Sequence, residues 1–293
     1  MNLDANLLVI IFLFGLIIGS FLNVVIYRLP IILYASWNND EANNDSQHNA
    51  LAHKLKHKFS KFNLAKPRSH CNNCANYLPF WCNIPIISFI FLKGRCYFCN
   101  SKIGYQYPIV ELLNAILYVL VTYVASDYYM LVLYFIFISI VICLTFIDFN
   151  ELLLPDELTL LLLWLGLLAN TQVNIASSLS SAVIGAAIAY IFLWSLYWIF
   201  KLISKKDGLG YGDFKFFAAI LAWFGSTAFI PILLIAPMLA MIYFIICLLF
   251  KKITFNTLIP FGPFLAIASM FVLFLHKTTY FEYFKYLFRF KSH

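Results

Sequence analysis

Two aspartates and four cysteines carry the chemistry of this sequence. Asp148 closes an apolar run in Thr145-Phe146-Ile147-Asp148-Phe149, and Asp213 opens another in Gly210-Tyr211-Gly212-Asp213-Phe214-Lys215. Carboxylates at membrane depth are costly and usually serve an ion path or a reaction. Two facing carboxyls sharing one proton can hydrolyse a peptide without metal. One takes a proton from water while the other protonates or polarises the scissile carbonyl. Such a pair titrates as a unit. Gly210 and Gly212 leave room beside Asp213 for an extended substrate to approach the backbone. Because a helix N-terminus favours negative charge, Asp213 is expected to ionise more readily than Asp148.

The cysteines fall in two pairs. Cys71-Asn72-Asn73-Cys74 is followed, after 21 residues, by Cys96-Tyr97-Phe98-Cys99. Two Cys-x2-Cys pairs at this separation read as a four-thiolate zinc site, each pair folding into a knuckle that offers two sulfurs. A redox role, the alternative, calls for a thioredoxin-like βαβ pattern, which is absent. Four thiolates leave no open coordination position, so the site is structural rather than catalytic. Cys82, Cys143 and Cys247 have no partner at metal spacing and read as packing residues.

The elements that position these groups are membrane helices. Of the 293 residues, 63% are hydrophobic and 11% charged, with a mean hydropathy of +0.85. A soluble domain is roughly 45–50% apolar and about 25% charged. Eight apolar segments are long enough to consider as crossings: 7–27, 109–125, 129–147, 152–169, 178–203, 214–226, 228–250 and 257–276. They do not alternate as barrel strands would. The sixth is the shortest and weakest. The expected fold is all-α and polytopic, with about eight transmembrane helices and a four-cysteine loop between the first two.

Basic residues set the orientation. Segment 28–108 holds ten of the twenty Lys and Arg residues and is expected in the cytoplasm, with the N-terminus outside. Asp148 and Asp213 then share the cytoplasmic face. The basic tail 277–293 disagrees, since eight crossings would leave it outside. Four parts follow: a first helix (1–27), a cytoplasmic loop (28–108), a membrane core (109–276) and the tail. Within the loop, 34–66 reads as a flexible Asn- and Lys-rich insertion ahead of the cysteine pairs at 71–99. Its lysines suit anionic lipid heads, with a solvated charge run as the plainer alternative; His48, His53 and His57 give only a weak metal pattern. Segment 84–92 is apolar but too short to cross, which suits the membrane interface.

Other polar groups have simpler readings. Gly15 and Gly19 suit close helix packing. Asp156 fits the start of the fourth segment as a helix cap. Glu111 fits packing against Arg or Lys as well as function, and Asp207 reads as solvated.

In combination these residues resemble the bacterial type IV prepilin peptidases, which are bifunctional leader peptidases and N-methyltransferases. The resemblance rests on Gly19-Ser20-Phe21-Leu22-Asn23, both cysteine pairs, Tyr107-Pro108-Ile109-Val110-Glu111, Leu154-Pro155-Asp156 and Gly210 to Lys215. It implies an inner-membrane aspartyl protease of the Gly-x-Gly-Asp type that removes leaders from type IV prepilins and type II secretion pseudopilins. It implies methylation of the new N-terminus with S-adenosylmethionine, although no Rossmann-type glycine loop is visible. The family's catalytic aspartates match Asp148 and Asp213, and a glycine linked to methylation matches Gly94.

Two rivals remain. A transporter would place its charges near the midplane and repeat its halves, and no repeat is found. A zinc-stapled assembly protein with inert aspartates would lack cleavage. The net charge of +7 is modest and follows topology, so nothing points to nucleic acid.

Overall fold

A computed structural model describes residues 4–37, 63–71, 73–173, 175, 178–205, 210–250 and 257–275. The histidine pattern at 48–57, most of the lysine-rich insertion, Lys206, Asp207 and the basic tail lie outside these residues. The described residues are helical apart from turns and two isolated bridges. They divide into two compact units, 1–123 and 124–293.

The first unit contains α1 (Ala5–Trp37), α2 (Ile87–Phe91) and α3 (Gln106–Thr122). α1 and α3 pack antiparallel at close range. A Cβ on Gly15 would lie 2.6 Å from the Ala115 Cα, and one on Gly19 would lie 2.7 Å from the Glu111 Cα. Small residues here let the two backbones meet. Buried amides tie the same seam: Asn114 Nδ2 donates to the Gly15 carbonyl at 2.7 Å, and Asn23 Nδ2 to the Tyr107 carbonyl at 3.0 Å. α1 runs on through Pro30 to Trp37. Buried Arg28 holds the chain beyond the insertion against it, donating to the carbonyls of Asn63, Leu64 and Pro67.

The second unit contains α4 (Tyr128–Glu151), α5 (Asp156–Gln172), α6 (Leu179–Ser204), α7 (Tyr211–Phe224), α8 (Phe229–Leu249) and α9 (Gly262–Leu275). Asp127 caps α4 and Ser178 caps α6, each accepting an N–H from three residues on. Four of the described helical segments are long and apolar enough to cross a membrane: α1, α4, α6, and α8 with the turn before it. α3 and α9 are shorter and apolar.

The sixth segment is short because it is the core. From Phe216 to Phe224 every residue of α7 is buried, as expected for a helix that is apolar all round. α5 and α6 flank it. Its carbonyl end is closed by Asn170 on α5, whose Nδ2 donates to the Ala222 and Trp223 carbonyls at 3.0 and 3.1 Å. Trp223 Nε1 answers by donating to the Leu162 carbonyl at 2.8 Å.

Asn170→Leu keeps the side chain's size but leaves those two buried carbonyls without their donor. It is expected to destabilise by about 1–3 kcal/mol, seen as a lower unfolding midpoint of the purified protein in detergent. An unchanged midpoint would refute this role.

Candidate active site

Asp148 and Asp213 lie at opposite kinds of helix end in the second unit. Asp148 occupies the last turn of α4, and the chain then reverses because Leu152 takes the left-handed conformation (φ 52°), its N–H returning to the Asp148 carbonyl at 2.9 Å. Asp213 is in the first turn of α7 and caps it from within, its Oδ2 accepting the Gly210 N–H at 3.2 Å. Both side chains are buried, and Leu154 packs beside both, against Gly212 next to Asp213 and against Gly262 next to Asp148.

The helix ends around them differ less than expected. Asp148 Oδ2 accepts the Gly262 N–H at 2.8 Å, and Gly262 opens α9. Each carboxyl therefore meets a helix N-terminus, one its own and one borrowed. The borrowed contact needs glycine, since a Cβ on Gly262 would fall 2.7 Å from Asp148 Oδ2. Leu154 fills the space alongside. A Cβ on Gly212 would come within 2.7 Å of the Leu154 Cβ, and one on Gly262 within 3.2 Å of its Cδ2.

Lys215 and Asp156 bond outside this buried pair, with Lys215 Nζ 2.7 and 2.6 Å from the two carboxylate oxygens. Asp156 does begin α5, but its carboxylate serves this ion pair, and Pro155 occupies the cap position. The pair ties the start of α5 to the first turns of α7. Gly262 was the residue missed by sequence reasoning. Its signal was Phe261-Gly262-Pro263, a glycine and proline opening an apolar run, which marks a helix start but names no partner.

In the first unit, the four cysteines meet. Their sulfurs lie within 4.8 Å of one another, with Cys71 and Cys99 3.7 Å apart. A tetrahedral ion with bonds of about 2.3 Å fits four sulfurs at such spacing. A hydrogen bond from the Ser101 hydroxyl lowers the Cys99 thiol to about 6. At Cys74 the Asn76 backbone bond favours the thiolate. Desolvation and the neighbouring Cys99 and Cys71 sulfurs outweigh it and push that thiol up to about 11. Cys82, Cys143 and Cys247 are free, the last two buried. Gly94 has φ 65°, and a Cβ there would meet the Phe89 ring at 3.0 Å. Glu111 pairs with no Lys or Arg among the described residues. Its Oε2 accepts the Ile86 N–H at 2.8 Å.

Comparison with known proteins follows the same division. The bacterial peptidase A24 N-terminal domain matches residues 13–125, which hold the cysteines, and the type IV leader peptidase family matches residues 135–245, which hold both aspartates. The prepilin leader peptidase/N-methyltransferase of Aeromonas salmonicida is 43% identical over 260 residues, covering 89% of this chain and 88% of that protein. The chain belongs to the type IV leader peptidase family. Proteins of the same name from Dichelobacter nodosus (42% identical, 88% of this chain, 87% of that one) and Pseudomonas aeruginosa (38%, 88% and 86%) agree. No solved structure matches the chain. Family membership and two buried carboxyls at helix ends favour the protease over the transporter and the inert assembly protein.

Metal uptake at the cysteines carries a pH signature. At pH 7 Cys74 holds its proton and Cys99 has lost its own, so uptake must expel the Cys74 proton. Zinc affinity, measured by competition with a chromophoric chelator, is expected to rise with pH across the neutral range. Below about 6 it should fall more steeply as Cys99 reprotonates. An affinity independent of pH there would contradict the thiolate site.

Proposed function

We propose that this enzyme removes the leader peptide of type IV prepilins and type II secretion pseudopilins with Asp148 and Asp213 as its catalytic pair. It then methylates the new N-terminus. What carries the reading is two buried carboxyls, each accepting one N–H at a helix start, in a chain of the leader peptidase family.

In the hydrolysis, one carboxylate takes a proton from water, which attacks the scissile carbonyl. The other, protonated, hydrogen-bonds the carbonyl oxygen and then supplies the proton that the leaving amine needs. The fixed N–H donors hold both carboxyls in place without solvent. Gly210 admits the substrate backbone beside Asp213, Gly212 lets Leu154 pack against the first turn of α7, and Lys215 with Asp156 steadies that turn.

Methyl transfer uses S-adenosylmethionine, which supplies a methyl group on a positively charged sulfur. When bound, it would give that methyl to the amine nitrogen, which would shed a proton while the old bond's electron pair stays on sulfur. Gly94 is linked to this half of the activity. The cysteines hold Zn2+ as a closed structural site through Cys71, Cys74, Cys96 and Cys99. The chain sits in the bacterial inner membrane, its N-terminus outside and its aspartates at the cytoplasmic face. The eight apolar segments make up its membrane part, α7 being short and buried among the other helices. Exposed Phe80, Ile90 and Phe91 face lipid at the interface.

Leader cleavage of a prepilin by purified protein in detergent tests the pair. Asp148→Asn and Asp213→Asn are each expected to lower the rate by about 10²–10⁴-fold while folding normally. Full activity in either variant would remove that residue from the mechanism.

A further inference from the structure

The first unit contains a cavity of about 780 Å3 that the peptidase chemistry does not use. Its size falls within the roughly 300–1,000 Å3 of small-molecule sites. Rings of Tyr27, Phe89 and Tyr107 line it, Lys102 lies at its wall, and Glu111 closes one side.

Glu111 is the informative group. It is 7% exposed, and no Lys or Arg forms an ion pair with it among the described residues. A buried carboxylate is normally paired with a cation. One of its donors, the Ile86 N–H, is held in a strained turn. Ile86 sits at φ 59°, ψ −48°, the centre of a γ-turn closed by the Ile87 N–H on the Pro85 carbonyl at 2.5 Å. That conformation is rare, and rarer still for a β-branched residue. It aims the Ile86 N–H at Glu111 Oε2. Strained backbone of this kind clusters at ligand clamps. A fixed, buried carboxylate without a cation, in a chamber walled by aromatic rings, suits a ligand that brings its own positive charge and a flat ring system.

We infer that this cavity is the methyl-donor site, with Glu111 facing the sulfonium of S-adenosylmethionine and the aromatic walls receiving its nucleoside. The inference rests on the reading that S-adenosylmethionine is the donor. Lys102 is then the cation available to the donor's carboxylate. Gly94 belongs to the same construction, because a side chain there would press on Phe89 in the cavity wall.

The test is calorimetric titration of the purified full-length protein in detergent with S-adenosylmethionine and with S-adenosylhomocysteine, whose neutral thioether lacks the sulfonium charge. Three proteins are compared: wild type, Glu111→Gln, and Ser88→Trp, which fills the cavity from its wall. Thermal unfolding checks that each variant folds. In parallel, wild type is assayed for transfer of a labelled methyl group from S-adenosylmethionine to a cleaved prepilin. Wild type is expected to bind. Glu111→Gln should weaken S-adenosylmethionine by about tenfold or more and the thioether much less, and Ser88→Trp should weaken both. If wild type transfers the label but both folded variants bind as wild type does, the cavity assignment falls and the donor reading stands. If wild type neither binds nor transfers label, the donor reading falls and takes the cavity with it. Equal weakening of both compounds by Glu111→Gln would overturn the pairing of Glu111 with the sulfonium.

Discussion

A short helix whose second half is buried on every side has no water at its carbonyl end, and the second unit is arranged around that constraint. α7 spans 14 residues, about 21 Å at 1.5 Å per residue, well short of a bilayer core of about 30 Å. Its carbonyl end must therefore find donors inside the protein, and Asn170 supplies them. At its N–H end, where Tyr211 is exposed, Asp213 accepts the Gly210 N–H from within the first turn. The same residue that completes the helix is thus held ready for chemistry. A mobile or solvent-facing α7 would need neither contact and would fix neither group.

The chemistry-bearing residues were legible in the sequence because membrane composition makes polar residues scarce. With only 13 acidic residues, two aspartates at the ends of apolar runs stand out. Four cysteines at regular spacing stand out for the same reason, and the structure brings their sulfurs together. What the sequence hid were contacts made by residues of no distinctive type. Nothing in Leu154 announces that it fills the gap between Gly212 and Gly262, nor does Gly262 announce a backbone donor for a residue 114 positions away. Backbone N–H groups are the same in every residue but proline, so their partners are decided by packing alone. The role of α7 was hidden likewise. Its shortness reads as a weak crossing until its neighbours are known.

The first unit solves a different problem. Its cysteine loop has little apolar interior of its own, and its aromatic and aliphatic side chains are largely exposed. Order comes instead from discrete polar fastenings. Arg28 gathers three carbonyls, Asn114 and Asn23 bind the helix seam, and the sulfurs converge on a common centre. A metal is the natural staple for such a segment, because its binding energy becomes folding energy where burial is insufficient. Against that economy of contacts, the left-handed Ile86 beside Glu111 is conspicuous. A segment with so little packing to spare does not retain backbone strain without a local return, and the fixed carboxylate is that return.

In the proposed hydrolysis, the environment of the two aspartates bears on how the catalytic cycle closes. An acid–base pair must exchange roles: the carboxylate that removes a proton from water ends the step protonated, and its partner ends it charged. If one residue alone enjoyed a helix N-terminus, the dipole would favour charge on that side and oppose half of each cycle. The structure gives each carboxyl one N–H at a helix start, Asp213 from the beginning of its own helix and Asp148 from the beginning of α9. The borrowed N–H thus offsets, for Asp148, the carbonyl end of α4 on which it sits. Reset of the pair needs only proton movement, with no reorganisation of the donors that hold it. The glycine at position 262 is what permits this balance, since any side chain there would separate α9 from Asp148.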